Sequence, residues 1–137
     1  MAKCPNKSVG GILRRNSEIY LIDRRFAPTG WACPAGHLEE GEDPAEATER
    51  EFSEEIGLQV HSGKLLLEEM VDWNNCWKSE GHGHYWHVFE MKDLGGEPVP
   101  NPEEAKDGGW FSPEEIQHLE LEPVWRYFFE KLGIIKS

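Results

Sequence analysis

Residues 36–58 read GHLEEGEDPAEATEREFSEEIGL and carry nine carboxylates in twenty-three positions. The stretch opens with helix signals. Asp43 can cap, Pro44 has its φ preset for a first helical position, Glu46 sits at capping-box spacing, and Gly57 is a natural C-terminal stop. On a helix advancing about 100° per residue, Ala45, Thr48, Phe52 and Ile56 make an apolar stripe. Glu51, Glu54 and Glu55 gather beside that stripe, at the rim of the core, while Glu46, Glu49 and Ser53 point to solvent. Like charges at these spacings repel by a few tenths of a kcal/mol per pair, and the last turn of a helix prefers cations. Local stability alone does not select this arrangement. A hard divalent cation would relieve it, because Mg²⁺ takes carboxylate and water oxygens and can hold substrate phosphates as well. Arg50, one position before Glu51 and four before Glu54, can orient a carboxylate. A surface helix with an acidic bias is the alternative that helix geometry leaves open.

The spacing of the whole segment is more specific than its charge. Gly36, Glu42, Arg50, Glu51, Phe52, Glu54, Glu55, Gly57 and Leu58 fit G-x5-E-x7-R-E-U-x-E-E-x-G-U, with U apolar, at every specified position. Taking about 1 in 15 for each polar or Gly position and ~1 in 3 for each apolar one, a chance match is on the order of 10⁻⁷. The segment resembles the Nudix box, and the chain is similar to a Nudix hydrolase. The resemblance implies an α/β fold, a Nudix-like α/β/α sandwich with a mixed sheet. It also implies hydrolysis of a nucleoside diphosphate linked to another moiety, with Mg²⁺ or Mn²⁺ as cofactor. Carried over, Glu51, Glu54 and Glu55 become metal ligands joined by the Gly36 carbonyl, Arg50 holds a carboxylate in place, and Glu42 is a structural or outer-shell acid. Some members of the family use a box glutamate such as Glu51 as general base. Others use a loop glutamate before a Trp-centred strand, which here is Glu104, with Glu103 as its rival.

Length and composition set the frame. With 137 residues, 38% of them apolar, the chain can bury one core, so a single domain over 1–137 is expected. A net charge of -12 opposes binding to duplex nucleic acid or an anionic membrane, and a phosphate-bearing ligand then needs a cation between. The opening MAKCPNKSVGG lacks the apolar region of a secretory signal, and no apolar run approaches the eighteen or so residues that span a bilayer. A soluble, cytoplasmic protein is expected. Cys4, Cys33 and Cys76 form no C-x-x-C pair and suit reduced thiols better than a disulfide framework or a zinc site.

Elsewhere, SVGGILRRNSEIYLIDRR (8–25) reads as two strands joined at RNSE, with Val9, Ile12, Ile19, Leu21 and Ile22 in the core. FAPTGWACPAG (26–36) reads as a punctuated connection with a short extended piece at 31–33. KLLLEEMVDW (64–73), HYWHVFEM (84–91) and GGWFS (108–112) read as strands. SPEEIQHL (112–119) and EPVWRYFFEKLG (122–133) read as helices, the second with Val124, Tyr127, Phe128 and Leu132 at helical spacing. Without a regular βαβ rhythm, this order predicts a mixed sheet covered by helices. KDLGGEPVPNPEEAKDGG (92–109) has no periodic pattern and reads as a mobile functional loop able to deliver Glu104 on closure. His82, His84 and His87 invite a metal reading, but His84 and His87 would face opposite sides of a strand. Trp31 and Trp77, in or beside loops, are the candidates for stacking on a nucleobase.

Short signatures of the coenzyme A and reduced-dinucleotide types are absent, as are the Pro or Tyr that the sugar-nucleotide and dinucleoside-polyphosphate types carry some sixteen residues past the box; residues 74–76 are Asn, Asn and Cys. The default substrate is a nucleoside triphosphate or modified nucleotide, with ADP-ribose or a nucleotide sugar as alternatives. A non-hydrolysing sensor module is the reading from another class. Both monomers and homodimers fit.

Overall fold

The computed structural model describes residues 6–74 and 83–137. Strand β1 (Lys7–Arg15) turns back into β2 (Glu18–Arg24) through Asn16 and Ser17, both at positive φ, the hairpin turn whose twist matches its strands. Short strands β3 (Gly30–Ala32) and β4 (Ala35–His37) follow, then helix α1 (Pro44–Ile56). Next come β5 (Val60–Val71), β6 (His84–Asp93), β7 (Ala105–Phe111), α2 (Pro113–Gln117) and α3 (Pro123–Lys131). The sheet runs β3-β2-β1-β6-β5, with β4 added to β1 and β7 to β2. It is mixed, since β1 lies parallel to β6 while its other pairings are antiparallel.

Alternation along the strands sends side chains to two helical layers. Ile12, Ile19, Leu21, Trp86 and Val88 pack with Ile116 of α2 and with Val124, Trp125, Phe128 and Phe129 of α3. Leu13, Tyr20, Ile22, Phe89 and Met91 pack on the other face with Phe52 and Ile56 of α1. This is the α/β/α sandwich that the sequence led one to expect. On α3 the buried stripe is Val124, Trp125, Phe128 and Phe129; Tyr127 and Leu132 only flank it. Trp125 and Phe129 take the innermost places because the helix rolls its largest rings into the sheet, where Trp86, Trp125 and Phe128 meet edge to face at 5.2–5.9 Å.

β1 and β2 pair through Arg14↔Ile19 and Arg15↔Glu18, next to their turn. Farther back β1 takes β4 instead, through Ser8↔His37, Val9↔Gly36 and Gly10↔Ala35. The two strands therefore fork, and the fork positions the site.

The close approach of α3 to β1 rests on Gly10. A Cβ there would lie 2.6 Å from the Trp125 ring, a rigid neighbour in a filled core. Gly10→Ala should therefore cost about 1–3 kcal/mol by overpacking. Urea denaturation measures it; an unchanged midpoint would mean that α3 does not press on β1.

Candidate functional site

A cleft of about 800 Å³ opens in the fork. Gly36, Glu51, Glu54, Glu55 and Glu104 line its acidic wall, Ser8, His37, His84 and Trp86 the side of β1, β4 and β6, and Phe26, Ala27 and Pro28 its mouth. Arg24 and Glu122 line it as well.

The acidic wall is built by α1. Asp43 caps it, its carboxylate accepting from the backbone N–H of Ala45 at 3.1 Å and Glu46 at 3.2 Å, and Gly57 ends it at φ 61°. The buried face is Ala47, Thr48, Glu51, Phe52, Glu55 and Ile56, with Ala45 only half-buried. Two of the three carboxylates expected at the rim thus lie inside the buried stripe, since Glu51 and Glu55 are 8% and 5% exposed. Glu54, one position round the helix, stays in solvent. Glu49 departs from the expected solvated face: it is half-buried and accepts from the Ser62 N–H at 2.8 Å.

Gly36 makes room for this. A Cβ on it would fall 2.1–2.3 Å from the carboxylate atoms of Glu51, so the acid packs directly onto β4 backbone. Arg50 holds the surroundings together. Its Nε and Nη2 donate to the two oxygens of Glu42 at 2.8 and 3.0 Å, its Nη1 to Glu51 at 2.9 Å and Glu54 at 3.1 Å, and its Nη2 also to the His37 carbonyl at 3.2 Å. Those bonds hold the Glu42 carboxyl below its ordinary value and push the guanidinium further above its own. Burial pushes the Glu51 carboxyl up, against the pull of its Glu55 hydrogen bond and Arg50. Burial, with Glu51 beside it, pushes Glu55 well above the ordinary range. The two buried acids act on each other, and a cation beside them would offset the charge that burial opposes.

The connection after β6, expected to be a loop without pattern, is bonded to the end of α1. Val99 N–H donates to the Ile56 carbonyl at 2.9 Å and Asn101 N–H to that of Glu55 at 2.8 Å. The strap thereby satisfies last-turn carbonyls that the helix leaves open, which fixes it in place. Asn101 then closes a turn, its Oδ1 accepting from Glu103 N–H and its carbonyl from the N–H of Glu104 and Ala105. Arg25 N–H donates to the Glu104 carbonyl at 2.9 Å from the other side. Glu104 lines the cleft and Glu103 does not. Partial burial, then the charge of Glu54, raise the Glu104 carboxyl.

Trp31 is a correction. It is paired with Asp23 across β2 and β3, on the face opposite to Ile22 and Arg24, which line the cleft; its ring meets Phe111 at 4.9 Å. Strand parity removes it from base stacking. Trp77, His82, Cys4 and Cys76 lie outside the described residues. Cys33 is a buried thiol whose ionisation burial opposes. His84 and His87 do face opposite sides: His84 is in the cleft, its Nδ1 2.6 Å from the Asn74 carbonyl and its ring stacked 5.5 Å from His37, whereas His87 lies 3.5 Å from Glu68.

Sequence reasoning passed over Arg24, Phe26 and Glu122. Arg24 shares the strand parity of Ile22, and Phe26 is an aromatic outside any strand, 62% exposed at the mouth. Glu122 occupies the N-cap position of α3, where Ser, Thr, Asp or Asn is usual, and it makes no capping hydrogen bond. A glutamate in that place is a signal the sequence does carry.

Among the described residues no three His, Cys, Asp or Glu side chains already stand in chelating positions. Arg50 draws Glu51 and Glu54 to itself, and Glu55 shares a hydrogen bond with Glu51. The donor set nonetheless fits a hard cation, being carboxylate oxygens on one wall with the side-chain-free backbone of Gly36 against them.

The pattern of the NUDIX domain matches residues 5–132. Nudix hydrolase 26, chloroplastic, of Arabidopsis thaliana is 30% identical, over 88% of this chain and 65% of that protein, so the chain spans under two thirds of that relative. The nucleoside triphosphatase NudI of Escherichia coli is also 30% identical, over 90% of this chain and 94% of its own length. Among solved structures, the MutT NUDIX hydrolase of Burkholderia pseudomallei superimposes with a TM-score of 0.76 at 25% identity, over 90% of this chain and 94% of that one.

Glu122 gives a pH test. Burial, opposed by Arg24, pushes its carboxyl from 4.5 up to about 7. In that window the unfolded chain has lost a proton that the folded chain keeps, so the folded state loses stability as pH rises. Urea unfolding of wild type and Glu122→Gln from pH 4.5 to 8 should show the variant gaining on wild type up to about pH 7 and level beyond. Parallel curves would contradict that burial.

Proposed function

Because the chain belongs to the Nudix family, we propose that it is a divalent-cation-dependent pyrophosphohydrolase acting on a nucleoside diphosphate linked to a further moiety. A nucleoside triphosphate or modified nucleotide is the default substrate, and the name of the relative NudI, a nucleoside triphosphatase, supports that choice. The observation that carries the proposal is the packing of Glu51 on Gly36, with Glu54, Glu55 and Arg50 around it in the cleft.

Glu51, Glu54 and Glu55 would hold Mg²⁺ or Mn²⁺ together with the Gly36 carbonyl. A bound cation of this kind neutralises diphosphate charge and lowers the pKa of a water. Arg50 keeps Glu51 and Glu54 aimed while Glu42 keeps Arg50 in place. Arg24, whose Nε is tied to the Pro28 carbonyl at 2.7 Å, offers its remaining donors to a phosphate oxygen. Glu104, aimed into the cleft by the anchored strap, accepts a proton as water oxygen bonds to phosphorus and the bridging oxygen departs. Glu51 and Glu103 are the other carboxylates that could take that proton. A net charge of -12 leaves duplex nucleic acid outside the proposed partners. A cytoplasmic location belongs to the proposal too, supported by the scattered thiols. Among the described residues no helix is long and apolar enough to cross a membrane.

A product-resolved screen of nucleoside triphosphates, nucleotide sugars, ADP-ribose and dinucleoside polyphosphates should show turnover with Mg²⁺ or Mn²⁺ that chelation abolishes. Gly36→Ala should stay folded within about 1 kcal/mol, since the Cβ displaces only the end of a flexible side chain, yet lose at least about tenfold in kcat. Glu104→Gln should lose kcat with near-normal metal affinity, and Glu103→Gln should not. Turnover that survives exhaustive chelation would sink the metal role. Normal kcat in both loop variants, with Glu51→Gln inactive, would move the base onto the helix.

A further inference from the structure

Glu51 and Glu54 are held by Arg50, but Glu104 is exposed, and among the described residues its carboxylate accepts no hydrogen bond. It nevertheless lines the cleft, so its aim depends on its backbone. That backbone is bonded on both sides. Glu104 N–H donates to the Asn101 carbonyl at 3.0 Å, and the Glu104 carbonyl accepts from Arg25 N–H at 2.9 Å. The next residue, Ala105, is buried and opens β7, which fixes the downstream end.

The upstream end is a turn whose chemistry is written in the residues Asn101, Pro102, Glu103 and Glu104. Asn suits the first place of such a turn and Pro, with its preset φ, the second. The Asn101 carbonyl accepts from the N–H of Glu104 and of Ala105, at 3.0 and 2.9 Å, while its Oδ1 accepts from Glu103 N–H at 3.0 Å. The Pro102 carbonyl accepts from Arg25 Nε at 2.9 Å. Asn101 N–H, in turn, donates to the Glu55 carbonyl at 2.8 Å. Among the described residues Asn101 alone bonds both to the helix of the acidic wall and to Glu104, and it does not line the cleft itself.

We infer, resting on the reading of Glu104 as the proton acceptor, that Asn101 is a positioning residue for hydrolysis: its side chain closes the turn that sets Glu104 at working distance from the Glu55 end of the acidic wall. A reacting group displaced by about 1 Å can cost on the order of a hundredfold in rate, and an exposed carboxylate has no other restraint here. Without Oδ1 the Glu103 N–H turns to solvent and the peptide between Pro102 and Glu103 can rock, which moves Glu104 with it. The three backbone bonds of Asn101 do not depend on its side chain, so the strap stays on α1 and the wall keeps its shape. Loss of the side chain therefore loosens the turn and nothing upstream of it.

The test measures kcat and KM for the four common nucleoside triphosphates with Mg²⁺, and the Mg²⁺-dependent rise in Tm, on wild type, Asn101→Ala, Asn101→Ser, Asn101→Asp, Glu104→Gln and the double variant Asn101→Ala/Glu104→Gln. Asn101→Ala should lose kcat by roughly ten- to a hundredfold, with KM and the Mg²⁺-dependent Tm rise unchanged. Asn101→Asp keeps an acceptor oxygen in the same place and should restore turnover, while Asn101→Ser, whose hydroxyl closes such turns more weakly, should fall between. The double variant should be no slower than Glu104→Gln alone, because a turn with no base to aim has nothing left to lose. Wild-type kcat in Asn101→Ala, or losses that multiply in the double variant as a merely structural role would make them, overturns the inference and leaves Glu104 and the hydrolase reading standing. Wild-type kcat in Glu104→Gln removes the base assignment and the inference with it. No turnover of any triphosphate by wild type overturns both.

Discussion

One guanidinium makes the acidic helix possible. Arg50 stands among Glu42, Glu51 and Glu54 and donates to all three, and through the His37 carbonyl it also ties the segment before α1 to the helix itself. Without it, carboxylates at helical spacing would repel, with the negative end of the helix dipole adding to the penalty. With it, Glu51 can be pressed onto Gly36 and Glu55 can be buried behind Glu51. The compensation is incomplete. Burial still pushes the carboxyls of Glu51 and Glu55 up, so one guanidinium does not offset the whole cost of charge on that wall.

The rest of the fold serves to keep that wall open to a ligand. β1 and β2 separate after their hairpin, and β4 takes the vacated edge of β1, which brings Gly36 opposite α1. The strap after β6 then closes the open end of α1 by donating to Glu55 and Ile56 carbonyls, and the same strap sets Glu104 at the cleft. One helix thus supplies both the acids of the wall and the anchor for the acid facing it. On the far side, β3 and the start of α3 interlock through Trp31, Glu120 and Glu122, which ties that end of the cleft together as well.

What the sequence made legible follows local physics. Asp43, Pro44 and Gly57 mark α1 because capping and φ are properties of a few neighbouring residues, and Val9, Ile12, Ile19 and Leu21 are core residues because a short apolar run between turn signals reports a strand buried on both faces. Trp31 was out of reach. Whether it meets a ligand or Phe111 depends on the parity of its pairing with Asp23, which no local pattern states. The strap looked mobile for the same reason: its hydrogen-bond partners are carbonyls more than forty residues away. Arg24 and Phe26 meet Glu122 only where two distant segments converge, although a glutamate at the N-cap of α3 was a local irregularity that could have been noticed.

The central claim is that the wall formed by Glu51, Glu54, Glu55 and Gly36 is a cradle for a divalent cation. Thermal unfolding of chelator-treated protein across a Mg²⁺ titration, for wild type and for Glu51→Gln/Glu55→Gln, tests it without any assumption about substrate. A cation that binds only the folded state adds about 2.7 kcal/mol at a hundredfold excess over its Kd, so the wild-type Tm should climb with Mg²⁺. The double variant, folded but short of two ligands, should show little or no climb. Equal shifts in both proteins, or none in wild type, would contradict the cradle.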